Sequence, residues 1–204
     1  MDSQVMNVNT PNDSQLWQQL KNGNESALGK LIKKYFNLLQ NYGYKFIRNE
    51  DFVKDCVQEV FVEIWTRRSS IAQPDSVKAY LLTSVRKRIL RESVRQKIDH
   101  DNNLENVEND ISFAEFSPEL AIIEEERTQE NVKKISAMLN TLPKRQREVI
   151  YLKYYQNLER DEIAQIMGIN SQSVSNLLQV AFSAIRENWG GLLISYLLLM
   201  RFIL

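Results

Sequence analysis

The chain has 204 residues, with 26 Lys and Arg against 26 Asp and Glu, so its formal net charge is zero. Apolar residues make up 43% and charged residues 25%, which excludes a disordered or a collagen-like chain. A single cysteine and a single histidine exclude a disulfide framework, a multi-thiolate zinc site and any site that needs two imidazoles. The polar first twenty residues predict no secretory signal, and we expect a reducing, intracellular compartment.

The charges are unevenly distributed along the chain. Residues 1–98 hold 16 basic and 10 acidic side chains, residues 99–130 hold 1 and 11, and residues 131–204 hold 9 and 5. Two mildly basic segments therefore flank an acidic one. This asymmetry indicates a polyanionic partner for the basic segments, unless the charges only solvate helix faces. Residues 99–118 are rich in Asp, Asn and Glu and end at a proline, which predicts an acidic, flexible linker.

The first basic segment has the apolar periodicity of several helices. We predict a short helix over 14–21, a longer one capped by Asn24 or Ser26, and a third over 52–65 with a wide apolar stripe. Cys56 lies within that stripe, so we expect a buried structural thiol rather than a nucleophile. The opposite face of the third helix is acidic and amide-bearing, which fits either a solvated face or a docking surface for a basic partner. This acidic patch consists of Asp55, Gln58, Glu59, Val62 and Glu63.

A turn at 74–76 precedes a fourth predicted helix, over 77–98, that is rich in cations. These cations repel one another unless an anion neutralises them, because Glu92 is the only acid among them. Six phosphate contacts would give a log–log salt slope of about −5. Tyr80 is placed to stack on an exposed base. The alternative is a basic, solvated helix face. The six cations are Arg86, Lys87, Arg88, Arg91, Arg95 and Lys97.

The last segment predicts a helix-turn-helix. Pro143 opens one helix, a shorter helix starts near residue 159, and Gly168 supplies a tight turn before a helix that runs to about residue 188. Asn170 or Ser171 is expected to cap that last helix, whose exposed start can contact bases in a major groove. We expect base contacts from Ser171, Gln172, Ser173, Ser175, Asn176 and Gln179. We expect the phosphate grip from Lys144, Arg145, Arg147 and Lys153.

These motifs, in this order, resemble the extracytoplasmic-function group of bacterial RNA polymerase sigma factors over residues 14–188. DCVQEVFVEIW (55–65) resembles the family's polymerase-binding helix, and AYLLTSVRKRILRESVRQ (79–96) its strand-opening, −10-reading segment. The run 142–187 resembles its −35-reading domain. We therefore expect an all-α fold of two small helical domains joined by an acidic linker, the C-terminal one a helix-turn-helix domain. The expected parts are a region 2-like domain (1–98), the linker (99–118), a region 4-like domain (119–188) and an apolar tail (189–204).

The resemblance also implies roles for individual residues. Asp55, Gln58 and Glu59 match positions that dock on the clamp helices of the polymerase's largest subunit, and Val62 and Glu63 extend that face. The −10 side would comprise Tyr80, Arg86, Lys87, Arg88, Arg91 and Arg95. Family members often carry Asn where Lys87 stands. The −35 side would comprise the helix-turn-helix residues, which are poor in cations for this family.

The implied protein is a cytoplasmic sigma factor that is not an enzyme and needs no cofactor. It would bind core RNA polymerase and direct promoter-specific initiation by recognising −10 and −35 DNA elements. An anti-sigma factor, which can be membrane-bound, is a further expected partner, while the chain itself is not transmembrane. The alternatives are a stand-alone helix-turn-helix transcription regulator and a helical interaction module tethered to a membrane complex.

The end of the chain lies outside the resemblance. The run LLISYLLLMRFIL after Gly190 and Gly191 has 13 residues and one charge, Arg201, and is shorter than the roughly 20 residues that span a bilayer. Three interpretations stay open: the tail packs on the protein's own helices, binds a partner such as an anti-sigma factor, or lies at a membrane surface.

Overall fold

The computed structural model describes residues 12–100, Phe113, Phe116 and 126–188. Within these residues the chain forms eight α-helices and one π-helical turn, with no strand, which confirms the predicted all-α fold. The helices are α1 (Asp13–Lys21), α2 (Glu25–Gly43), α3 (Glu50–Thr66), α4 (Val77–His100), α5 (Glu126–Asn140), α6 (Lys144–Ile150), α7 (Arg160–Met167) and α8 (Ser171–Asn188). The π-helical turn Tyr151–Tyr155 follows α6 directly. The interpretations of the tail lie outside the described residues.

Asparagine side chains cap the N-termini of the first three helices. Asn12 forms a capping box with Gln15: the Asn12 Oδ1 accepts from the Gln15 N–H at 2.9 Å, and the Gln15 Oε1 accepts from the Asn12 N–H at 3.1 Å. Asn24 caps α2, as one of the two predicted alternatives, and Asn49 caps α3. Each cap gives a bonding partner to an N–H group that the first helical turn would otherwise leave unsatisfied.

The four helices before the linker pack around one core, from which the acidic patch faces outward. Trp17 on α1 is completely buried, and its indole N–H donates to the Ala72 carbonyl at 3.1 Å. Cys56 on α3 is buried as predicted. Burial, followed by the nearby Glu59 carboxylate, raises the pKa of its thiol to about 11. At neutral pH the thiol is therefore protonated and enclosed, which fits a structural role.

Two glycines of α2 differ in the space that is available for a side chain. A Cβ at Gly43 would lie 2.5 Å from the Val53 Cγ1 and 2.9 Å from the Ile89 Cδ1, whereas a Cβ at Gly29 meets nothing within 4 Å. We expect Gly43→Ala to lower the free energy of unfolding by about 1–3 kcal/mol, because the side chains of α3 and α4 that meet the new methyl group must move away from α2. Gly29→Ala, its matched control, should raise it by about 0.4–1 kcal/mol. Urea denaturation followed by circular dichroism measures both, and equal effects would contradict the close approach of the helices.

The second helical unit contains a helix that the sequence analysis did not predict. No helix was predicted between the linker and Pro143, yet α5 covers Glu126–Asn140. Its last turns bury Met138 and Leu139, with Ile135 half-buried one turn earlier. That i, i+3, i+4 spacing was a readable helical signal next to the acidic run. The prediction was therefore incomplete here.

The helix-turn-helix has the predicted turn. Gly168 ends α7 with φ +64°, a left-handed conformation that glycine adopts without a steric penalty. Asn170 is the residue that caps α8, since its Oδ1 accepts from the Ser173 N–H at 2.7 Å. Val174, Ala181 and Ile185 bury the inner face of α8. The opposite face of α8, near its N-terminus, is therefore exposed to solvent.

Both ends of the predicted linker differ from the expectation. Helix α4 continues to His100, so residues 99 and 100 belong to that helix. Phe113 and Phe116 are buried, at 2% and 3% exposure, between the two helical units. A single apolar core consequently runs through both units, and helix α4 of the first contacts helix α7 of the second. Linker residues 101–112, 114–115 and 117–118 lie outside the described residues.

Candidate protein-binding and nucleic-acid-binding surfaces

The acidic patch forms a continuous outer face of α3. Asp55, Gln58, Glu59, Val62 and Glu63 are all exposed. Val62 is 64% exposed, an unusual position for a valine among charged neighbours. The hydrogen bond from Arg67, with a further one from Arg88, holds the pKa of the Glu63 carboxyl below its usual value. The Glu63 carboxyl is therefore anionic at neutral pH, and one exposed apolar side chain, Val62, lies among the polar side chains of the patch.

Arg88 connects the acidic patch to the cationic helix α4. Its guanidinium donates to the Glu59 Oε2 at 2.5 Å and to the Glu63 Oε2 at 2.9 Å. Two of the expected polymerase-binding acids thus share a cation that the sequence analysis placed on the DNA side. The two surfaces are adjacent, and a ligand on one of them changes the electrostatic field at the other.

Helix α4 does not present its cations as one exposed row. Lys87, Arg91 and Arg95 are exposed, whereas Arg86 and Arg88 are partly buried in ion pairs. The predicted repulsion is relieved by acids of other elements: Glu59 and Glu63 from α3 and Glu148 from α6. Sequence reasoning missed these partners because it considered only the acid on α4 itself. The Lys97 side chain lies outside the described residues.

Arg86 is held in an ion pair between the two helical units. Its Nε lies 2.7 Å from the Glu148 Oε1 and its Nη2 3.3 Å from the Glu148 Oε2, while the Tyr42 hydroxyl donates to the same Oε1 at 2.8 Å. The side chains of Arg86 and Glu148 are only 15% and 4% exposed. Burial opposes the Arg86 charge, but the Glu148 carboxylate outweighs it and keeps the Arg86 pKa above its usual value. In this conformation Arg86 is engaged within the protein.

Tyr80 lies at the start of α4, half-buried. Its ring meets Trp17 edge to face, with the ring centroids 5.0 Å apart. The Trp17 ring therefore supports the Tyr80 ring from within the core. A base could reach only the part of Tyr80 that faces away from Trp17.

The start of α8 offers exposed amide side chains. Gln172, Asn176 and Gln179 are exposed, whereas Ser171, Ser173 and Ser175 are half-buried. The Ser171 hydroxyl donates to the Asp161 Oδ1 at 2.5 Å, which ties α8 to α7. The amides are thus the side chains of this face that are best placed to reach base edges.

The residues that were expected to bind DNA phosphates differ in their exposure and in their partners. Lys144 and Arg145 are exposed at the start of α6, and Lys153 pairs with Glu159 at 3.2 Å. Arg147 is buried instead: its Nη2 donates to the Phe113 carbonyl at 2.8 Å and its Nη1 to the Asn140 carbonyl at 3.2 Å. The prediction that Arg147 binds phosphate does not agree with this placement, because the side chain is buried and both of its terminal nitrogens already donate to backbone carbonyls.

An aromatic crevice lies where the two units meet. The rings of Tyr42 and Tyr151 stack with centroids 6.0 Å apart, and Phe113 and Phe116 pack against this pair. The Lys45 ammonium lies 5.5 Å from the Phe116 ring centroid, and burial followed by Arg48 lowers the Lys45 pKa. The sequence analysis missed this crevice. Two phenylalanines within a polar, acidic run were the only signal.

Comparison with protein families identifies the chain. The Sigma-70 region 2 family model matches residues 31–97, which include α3 and the cationic part of α4. The Sigma-70 region 4 family model matches residues 133–185, which include the helix-turn-helix. Together they cover more than half of the sequence, and the chain belongs to the extracytoplasmic-function group of bacterial RNA polymerase sigma factors.

Individual relatives are distant in sequence. The chain is 22% identical over 165 residues to the probable RNA polymerase sigma factor RfaY of Xanthomonas campestris pv. campestris. That match covers 81% of this chain, which spans 41% of the relative's length. The structure of CnrH in complex with the cytosolic domain of CnrY is 19% identical, with a TM-score of 0.56, and the match covers 86% of this chain and 95% of that one.

A second solved structure supports the same fold. It is the sigma factor RpoE in complex with the anti-sigma factor NepR from Bartonella quintana, 18% identical with a TM-score of 0.54. The match covers 78% of this chain and 94% of that chain.

None of the helices in the described part of the chain is long and apolar enough to cross a membrane.

Proposed function

We propose that this protein is a cytoplasmic sigma factor that binds core RNA polymerase and directs promoter-specific initiation. The observation that carries the proposal is the exposed acidic patch of α3 beside a cationic α4, with a helix-turn-helix in the second unit. A simple DNA-binding regulator needs no such patch. In this proposal the polymerase performs the chemistry, and the chain supplies sequence selectivity without a catalytic residue or a cofactor.

The acidic patch is the proposed contact with the polymerase. The patch combines four polar side chains, three of them carboxylates, with the exposed Val62, an arrangement that suits a basic partner surface with an apolar pocket. Because Arg88 already neutralises part of the charge of Glu59 and Glu63, the partner's cations would compete with an internal one. Asp55 and Gln58, which have no such pairing with Arg88 in the structure, would then make the strongest new contacts.

DNA contacts would come from both units. Lys87, Arg91 and Arg95 are exposed on α4 and would bind phosphates near the −10 element. Gln172, Asn176 and Gln179 would read the −35 element, since amides pair well with adenine in a major groove. The two elements lie about 70 Å apart at roughly 34–36 Å per helical turn. The 25 residues between α4 and α5 (101–125) can extend to about 80–90 Å, so the chain between the two units is long enough for both contacts.

An anti-sigma factor is the third proposed partner. CnrH and RpoE, which share this fold, are bound in their solved structures to CnrY and to the anti-sigma factor NepR, respectively. We extend this type of partner to the present chain. A cytosolic segment of a membrane protein would be a suitable binder.

Co-elution with bacterial core RNA polymerase on a sizing column tests the function. The full chain is expected to co-elute, and replacement of Asp55, Gln58 and Glu59 by alanine should weaken the complex at least about tenfold, because these residues form the centre of the proposed interface. A matched control carries alanine at Gln19, Glu25 and Asp75, which are exposed residues of the same three types on other surfaces. Equal binding by both variants would disprove the proposed docking surface.

A further inference from the structure

We propose that Arg88 couples the acidic patch of α3 to the DNA-binding cations of α4 by exchanging one set of carboxylate partners for another. In the free chain Arg88 is held by Glu59 and Glu63. When cations of a partner occupy these two acids, Arg88 turns to Glu92, and Glu92 releases its neighbouring arginines for DNA phosphates. The inference rests on the proposed function, because it states how polymerase docking would regulate DNA binding by the same chain.

Arg88 lies among three carboxylates that belong to two helices. Its Nη1 is 2.5 Å from the Glu59 Oε2 and its Nη2 is 2.9 Å from the Glu63 Oε2, whereas the Glu92 Oε1 lies 4.0 Å from the Nη1. The first two distances are those of hydrogen-bonded ion pairs, and the third is that of a loose pair. Arg88 is therefore held by α3, and a small movement of its side chain would bring it to an acid of its own helix.

Glu92 connects this exchange to the proposed DNA contacts. Its Oε1 accepts from the Arg91 Nε–H at 3.3 Å, and its Oε2 lies 4.0 Å from the Arg95 Nη1. Both arginines are exposed. A carboxylate between them lowers the positive potential that a phosphate meets at this surface. A tighter pair between Arg88 and Glu92 would neutralise that carboxylate, so that both neighbouring arginines would act on a phosphate with their full charge.

The two acids that would start the exchange are accessible to a partner. The side chains of Glu59 and Glu63 are 57% and 48% exposed, although both contact Arg88. Arg67 already occupies the other oxygen of Glu63, the Oε1, at 3.0 Å, so a further cation at Glu63 would compete with Arg88 for the Oε2. Ion pairs with such exposed acids contribute at most about 1 kcal/mol each. An external cation can therefore displace Arg88 at a small cost.

Neutral substitutions in the full chain test the exchange without polymerase. Glu59→Gln together with Glu63→Gln removes both partners of Arg88 on α3 and imitates their engagement. A labelled single-stranded oligonucleotide, followed by fluorescence anisotropy, should bind this variant about three- to tenfold more tightly than the unaltered chain. The log–log salt slope should be steeper by about 1.4, the value for two added phosphate contacts. The matched control, Glu50→Gln with Asp51→Asn, removes two exposed acids of the same helix and should change the affinity less than about twofold.

A double-mutant cycle assigns the effect to Arg88. In an Arg88→Gln background, the same changes at Glu59 and Glu63 should have no larger effect than the control, because no guanidinium can turn to Glu92. Nitrogen-15 NMR of the arginine side chains gives a second readout that needs no DNA. The Arg91 Nε–H, which donates to Glu92, should exchange faster with water in the Glu59 and Glu63 variant, but not when Arg88 is also replaced. Equal gains in affinity with and without Arg88, or an unchanged Arg91 signal, would overturn the proposal, provided that far-UV circular dichroism shows folded variants.

The trigger is tested separately with core polymerase. Arg88→Gln removes the internal competitor for Glu59 and Glu63, so it should tighten binding to core polymerase about threefold or more. Unchanged binding by this variant would contradict the competition. An unaltered chain that fails to bind core polymerase would disprove the proposed function and remove the trigger. A chain that binds core polymerase, but whose cycle shows no dependence on Arg88, would disprove only the exchange.

Discussion

Replacement of Glu148 by alanine is expected to weaken the packing of the two helical units against each other by about 3–5 kcal/mol, because it leaves the Arg86 guanidinium without its anion in a largely buried site. The carboxylate also accepts from the Tyr42 hydroxyl, so two donors lose their acceptor. Since the units can separate and rehydrate Arg86, the loss should appear as opening of the chain rather than as unfolding. Energy transfer between two dyes, attached to cysteines introduced at the exposed positions Lys33 on α2 and Arg160 on α7, measures this as a fall in transfer.

A charge exchange distinguishes the ion pair from other effects at this position. Arg86→Glu combined with Glu148→Arg restores opposite charges and should recover part of the transfer, although Tyr42 no longer donates to a carboxylate. Glu63→Ala serves as the control, because it also removes an arginine partner but at an exposed site. Its effect should be below about 1 kcal/mol. A Glu148→Ala chain that keeps high transfer would show that the buried pair is dispensable.

Replacement of Trp17 by alanine should lower the free energy of unfolding by about 3–5 kcal/mol, because a completely buried indole leaves a cavity that the surrounding helices cannot fill. The hydrogen bond to the Ala72 carbonyl is lost as well. For a chain of this length the melting temperature should fall by roughly 10 °C. Thermal denaturation followed by circular dichroism checks this, and a fall of only 1–2 °C, on the order of a surface substitution, would contradict it.

Trp65→Ala is the matched control for that prediction. Trp65 is half-buried and is covered by the Arg68 guanidinium at 4.4 Å from its ring centroid. Its loss should cost about 1–2 kcal/mol, since part of the ring already faces solvent. A second readout concerns Tyr80, which rests on Trp17. The environment of the Tyr80 ring, followed by NMR, should change in the Trp17 variant and not in the Trp65 variant.

Much of the candidate site could be predicted because it depends on local patterns. The acidic patch follows from residues at i, i+3, i+4, i+7 and i+8 of one helix, and all of them do face outward. The turn at Gly168 follows from the need for a left-handed residue between two helices. Helix α5 shows the limit of this reasoning, since its apolar residues had a readable spacing but no helix was predicted between the linker (99–118) and Pro143.

Apart from α5, the sequence by itself determined the helices, the helix-turn-helix and the family, because periodicity and turn chemistry act over a few residues. Only the tertiary structure decided which cations are available to a nucleic acid. Arg86 and its acid Glu148 are 62 positions apart, and Arg147 and the Phe113 carbonyl are 34 apart. The physical reason is that ion pairing and burial depend on which distant elements contact each other. The number of charged residues along one helix gives no information about acids or bases that other elements bring next to it.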